Sequence, residues 1–162
     1  MSLGCPLTDM SPERFTGGLA ELETALGTTY GPAAPVAVTQ QMIDLFADAT
    51  GDHQWIHVDR ERAAEGPFGT TIAHGYLTLS LVPRFLAELI EVTGVGMGVN
   101  YGVNKVRFPA PVPSGSSLTA TVAVALVERA ETRTRVTFDV VIRADAGDAP
   151  VCVAQVVVLY VA

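Results

Sequence analysis

The sequence predicts an α+β fold: a highly curved antiparallel sheet wrapped around one long buried helix. Two observations carry this expectation. Residues 74–92 place Leu77, Leu79, Leu81, Val82, Phe85, Leu86, Leu89 and Ile90 around most of a helical circumference. A helix that is apolar nearly all round is a buried one. Long strand patterns then meander to the C-terminus, and a sheet with one apolar face needs a packing layer to cover it. The chain has 162 residues, 49% of them hydrophobic and 17% charged. That length suits one domain, and that composition opposes intrinsic disorder.

The first ten residues read as a flexible tail and 11–162 as the domain. Ser11 and Pro12 carry helix-start signals, and Phe15, Leu19, Leu22 and Leu26 recur at helical spacing. A turn-rich connection, 28–35, leads to a short edge strand at 35–38, since proline can begin a strand but not occupy its middle. Thr39 then caps a helix that runs to Thr50, with Met42, Leu45, Phe46 and Ala49 on one face and Gly51 as its stop. Residues 52–58 show no helical period. Asp59 can cap one helical turn over 59–64. The buried helix follows at 74–92, with a kink expected at Pro83, which lacks a backbone donor. Strands are expected at 97–107, 118–127, 132–143 and 151–161. In the third, Val136, Phe138, Val140 and Ile142 share a face. Gly147 marks a hairpin turn between the last two.

Charge and cysteine content exclude several classes. Ten Lys and Arg against 17 Asp and Glu leave a net charge of −7. That charge repels phosphate backbones and anionic bilayers, so no nucleic acid and no membrane is expected as a partner. The apolar runs are too short for a spanning helix of about 20 residues, and no leader-like segment opens the chain. Cys5 and Cys152 form no disulfide framework or metal knuckle and read as free thiols in a cytoplasmic protein.

All three histidines fall between positions 53 and 74, where the regular patterns fail. Asp52 and His57 are five apart. On an ideal helix they diverge by about 140°, and on a strand they face opposite sides. They converge only if the segment is irregular, and the glycine before Asp52 permits such a turn. Converged, they make an acid–base pair able to orient and deprotonate a water; solvated loop side chains are the plainer reading. A metal site would draw on His53, His57, Asp52, Asp59 and His74, but extended backbone at Trp55, Ile56 and Val58 would hold the histidines too far apart to share an ion. His74 and Gly75 open the buried helix. There a free N–H could polarise an oxyanion, or His74 could simply cap. Tyr101, Asn104, Lys105 and Arg107 lie on the first long strand. Trp55 reads as a packing residue from its type alone.

The segment Phe46-Ala47-Asp48-Ala49-Thr50-Gly51-Asp52-His53-Gln54-Trp55-Ile56-His57 resembles the signature of (R)-specific enoyl-CoA hydratases of the MaoC-like dehydratase family. Phe68-Gly69-Thr70-Thr71-Ile72-Ala73-His74-Gly75 and the stretch from Asn100 to Val112 resemble the same family, in the same order. The resemblance implies a single hot-dog domain that forms a homodimer, with sheets joined edge to edge. It implies reversible syn addition of water to a trans-2-enoyl-CoA, giving the (R)-3-hydroxyacyl-CoA. No metal and no redox cofactor is implied; the partner is the acyl-CoA thioester. Asp52 and His57 match the water-activating pair, and Gly75 the carbonyl-polarising N–H. His74, Tyr101, Asn104 and Trp55 are the implied substrate contacts. Gln54-Trp55 departs from the usual Asn-Pro and is expected to alter the acyl tunnel. The competing readings are a hot-dog acyl-CoA thioesterase and a non-catalytic acyl-thioester-binding module.

Overall fold

A computed structural model describes residues 13–145 and 147–161. The expected tail, Cys5 and the start signals at Ser11 and Pro12 lie outside these residues. The elements run in chain order as β1 (Phe15–Gly17), α1 (Leu19–Thr24), β2 (Thr29–Tyr30), β3 (Val36–Ala37), α2 (Gln40–Thr50), α3 (Trp55–Val58), α4 (Arg60–Ala64), α5 (Gly75–Ser80), α6 (Val82–Leu89), β4 (Ile90–Val92), β5 (Met97–Arg107), β6 (Ser117–Arg129), β7 (Arg133–Ala144) and β8 (Pro150–Val161).

The main sheet is antiparallel, in the order β2-β6-β7-β8-β5, with β3 also paired to β6. The chain therefore crosses from β5 at one edge to β6 before it meanders through β7 and β8. Register shifts interrupt the ladders at Asn100/Gly102, Val103/Lys105, Val124/Leu126 and Ile142/Arg143. Such bulges bend a strand and increase its twist. The inner face is set by alternation. Val136, Phe138, Val140 and Ile142 of β7 are fully buried, as are Leu118, Val122 and Val124 of β6. α5 packs on β8 and α6 on β6, so the helices cover this face. Phe85 and Leu89 of α6 are fully buried against it, each contributing about 1.5–3 kcal/mol of transfer free energy.

Four expectations need correction. The inward face of α2 is set by Ile43 and Ala47, which are buried, while Leu45 and Ala49 of the expected face are exposed. The helical spacing from Phe15 to Leu26 survives only in α1, because Phe15–Gly17 pairs in parallel with Ile90–Val92. The long buried helix is two helices that meet at Leu81, where the backbone is C-cap to one and N-cap to the next. Pro83 lies in the first turn of α6, where its missing N–H costs no hydrogen bond. The second helix ends at Leu89, and Ile90 turns extended to join β4. Finally, the aperiodic stretch 52–58 closes with the helical turn α3 rather than an extended run.

Candidate active site

The site is built around the end of α2. Thr39 accepts the Met42 N–H at its start. At its end Gly51 takes φ 77°, a left-handed conformation that favours glycine, and donates its N–H to Ala47 at 2.8 Å. The reversal sends Asp52 back across the helix end. Asp52 Oδ1 accepts the Gln54 N–H at 3.4 Å, which leads directly into α3. That single turn points His57 inward, leaving it 7% exposed.

His57 Nδ1 lies 2.7 Å from the Ile72 carbonyl oxygen. A carbonyl can only accept, so Nδ1 carries the proton and Nε2 keeps its lone pair. Ile72 N–H in turn donates to Ile56 O at 3.0 Å, which zips the two segments together. His74, 3% exposed, stacks on His57 with ring centres 3.7 Å apart and planes 25° from parallel. Its Nε2 donates to the Asp52 backbone carbonyl at 2.9 Å. Its Nδ1 is buried without a partner among the described residues. Phe46 of α2 backs the stack, with its ring centre 5.1 Å from that of His74. Burial pushes the His57 imidazolium pKa below its ordinary value. The neighbouring His74 acts in the same direction, and the Ile72 carbonyl and Asp52 oppose both.

One carboxylate oxygen of Asp52 and one ring nitrogen each of His57 and His74 fall within 4.8 Å of one another. A water held at about 2.8 Å from two acceptors fits such a gap. A metal ion fits it less well. Two imidazoles on one tetrahedral zinc radiate from bonds of about 2.0–2.1 Å, which sets their ring centres about 5 Å apart. The 3.7 Å stack is tighter than that.

A cavity of about 300 Å³ opens beside His57, lined also by Gly75, Thr78, Phe108, Val112 and Val151. Gly75 is the first residue of α5, so its N–H has no acceptor within the helix. It is also a close-approach glycine: an added Cβ would lie 2.7 Å from Phe108 Cδ2. Gly75→Ala is therefore expected to displace the Phe108 ring. The enoyl-thioester hydration that the resemblance implies should then fall about 100-fold, the scale of an ångström of misplacement, with an unchanged circular dichroism spectrum.

The other expected contacts separate. Trp55 packs its ring against Gly66 and beneath the Arg62 guanidinium, 4.4 Å from the ring centre, and does not line the cavity. Tyr101 and Asn104 sit at the two bulges of β5, both exposed, and Asn104 donates to Gln155. Neither reaches the cavity beside His57 in this chain. His53 turns outward to pair with Asp48 at 2.9 Å, and that hydrogen bond raises its pKa. Gln40 and Thr71 brace the α3 turn; sequence reasoning singled out neither, although Thr71 stands within the second family-like segment.

The family pattern named "MaoC like domain" matches residues 21–145. The chain belongs to the MaoC-like dehydratase family. This MaoC-like chain is 51% identical over 145 residues to the 3-hydroxyacyl-thioester dehydratase Z of Mycobacterium tuberculosis, a match covering 89% of this chain and 96% of that protein. It is 33% identical over 96 residues to the (R)-specific enoyl-CoA hydratase of Rhodospirillum rubrum, covering 58% and 64% respectively. The crystallised R-hydratase PhaJ1 of Pseudomonas aeruginosa superimposes with a TM-score of 0.68 at 26% identity, over 93% of this chain and 88% of that one. The MaoC-like fold is the hot-dog fold that the resemblance implied. Among the described residues, no helix is long and apolar enough to cross a membrane.

Proposed function

We propose that this chain is a hydro-lyase that adds water reversibly to trans-2-enoyl-CoA to give (R)-3-hydroxyacyl-CoA. The observation that carries the reading is the convergence of Asp52 and His57 beside a cavity that also contains Gly75. His57 Nε2, freed by the Nδ1 bond to Ile72, takes a proton from a water that Asp52 also holds. The water oxygen bonds to C3 while the C2=C3 electrons move toward the thioester carbonyl. The Gly75 N–H stabilises the charge gathering on that oxygen, and the proton returns to C2 on the same face. A donor of this kind acts more strongly on the transition state than on the ground state. Dehydration is the same path in reverse. No electron is transferred, and we propose no metal or redox cofactor.

We further propose that the protein works as a homodimer in the cytoplasm. Among the described residues β5 is an edge strand with one ladder side unpaired, and Met97, Val99, Tyr101 and Val103 along it are exposed. Cys152 is a buried free thiol, with burial pushing its pKa up to about 11.

The test is loss of enoyl absorbance with acyl-CoA substrates from crotonyl-CoA upward, with chiral analysis of the product. The (R)-3-hydroxyacyl thioester is expected. Release of free CoA thiol would instead indicate a thioesterase. Tight acyl-CoA binding with neither change would indicate a binding module.

A further inference from the structure

The α3 turn is held by a polar bracket that stands outside the reacting groups. Gln40 lies in the first turn of α2, partly buried, and its side-chain amide touches three partners. Nε2 donates to the His57 backbone carbonyl at 2.8 Å and to Asp44 Oδ1 at 2.8 Å. Oε1 accepts the hydroxyl of Thr71, which is 2% exposed. The amide orientation is fixed by chemistry, because the His57 carbonyl and the Asp44 carboxylate can only accept. Thr71 directly precedes Ile72, whose carbonyl receives the His57 Nδ1 proton, and the Thr71 carbonyl is itself tied to Ser114 N–H at 2.8 Å. One side chain thus grips both the residue that carries the imidazole and the segment that selects its protonated nitrogen.

We propose that Gln40, acting with Thr71, is a positioning residue that keeps His57 in the Nδ1–H tautomer with Nε2 free for the water. The catalytic part of this proposal rests on the hydratase reading. Removing the amide frees the His57 carbonyl and the Thr71 hydroxyl together, and a buried group without a partner drives local rearrangement. The Ile72 carbonyl then drifts from Nδ1, and the Nε2–H tautomer, which cannot accept a proton from water, gains population.

The experiment compares the wild-type chain with Gln40→Met, close in volume but without the amide, and with Thr71→Val, which removes only the hydroxyl. Nitrogen NMR of histidine-labelled protein reads the tautomer, with His57 assigned by the signal lost in His57→Gln. The wild type is expected to show Nδ1 protonated. Either variant should move His57 toward a tautomer mixture and lower kcat about 10- to 100-fold, with KM within about twofold, as expected when a reacting group rather than substrate binding is disturbed. An unchanged tautomer in a folded variant overturns the bracket. A shifted tautomer with unchanged kcat, or a raised KM with unchanged kcat, overturns its link to catalysis. A wild type that hydrates no enoyl thioester overturns the hydratase reading instead, and the NMR arm still decides whether Gln40 governs the His57 proton.

Discussion

His57→Gln is expected to lower kcat for crotonyl-CoA hydration about 10²–10⁴-fold, the usual contribution of a positioned general base, while the domain stays folded. The glutamine amide can still donate to the Ile72 carbonyl, so the packing role at 2.7 Å is partly kept. What disappears is the basic nitrogen beside the cavity. Asp52→Asn keeps the size and one acceptor oxygen but loses the charge, and a fall of similar scale follows. The double variant should be scarcely worse than either single one, because groups that act on one water act as a unit. Turnover near background in all three, with unchanged thermal melting, is the supporting result; near-full activity in either single variant removes the assignment.

The same histidine sets a pH signature. Burial lowers its pKa, so the base form of His57 persists into mild acid before the rate falls. The limb measured in kcat is assigned to His57, and it should vanish in His57→Gln. Stability follows the same sign. As pH drops below the ordinary imidazole value, the unfolded chain takes up a proton that folded His57 resists, and stability declines through that window. His57→Gln should flatten this decline in urea unfolding measured between neutral and mildly acidic pH.

Phe138→Ala is expected to cost about 3–5 kcal/mol out of a typical total of about 5–15 kcal/mol. Phe138 is fully buried on β7, a central strand with β6 and β8 on either side. Its neighbours on that face, Val136, Val140 and Ile142, are also fully buried, so little can relax into the space it leaves. Leu45→Ala, at a residue 61% exposed on α2, provides the control and should stay within about 0.5 kcal/mol. Urea midpoints for the two variants check the contrast.

The strands and the two ends of α2 were legible because their signals are local, whereas the inward face of α2 was not: Ile43 and Ala47 are buried there and Leu45 is exposed. Alternation along Val136–Phe138–Val140–Ile142 names the inner face, and Thr39 and Gly51 mark the two ends of α2. The misread segments are those governed by distant partners. Phe15 and Ile90 each fit a helical spacing, yet they face one another in a parallel pair that no local pattern announces. A helix that is apolar all round looks continuous whether or not it breaks, so Pro83 signalled a kink but not the full joint two positions earlier at Leu81. Trp55, Ile56 and Val58 favour extended backbone, but the hydrogen bonds from Gln40 and to Ile72 hold a helical turn there. Of the site, Asp52, His57 and Gly75 stood out as candidates in the irregular stretch and at the helix start, and the resemblance supplied their roles. The stacking of His74 on His57 is a product of packing, since seventeen positions separate the two in the chain.

Trp55 is the only tryptophan in the sequence, and it stands two positions before His57 with a cation over one face and Gly66 against its ring. An intrinsic fluorophore thereby stands on the same helical turn as His57. Its emission is set by the guanidinium lying over it and by contact with solvent, so any loosening of that corner registers as a change in colour and quantum yield. Stopped-flow mixing with an acyl thioester can follow any movement of the α3 turn in the unlabelled protein.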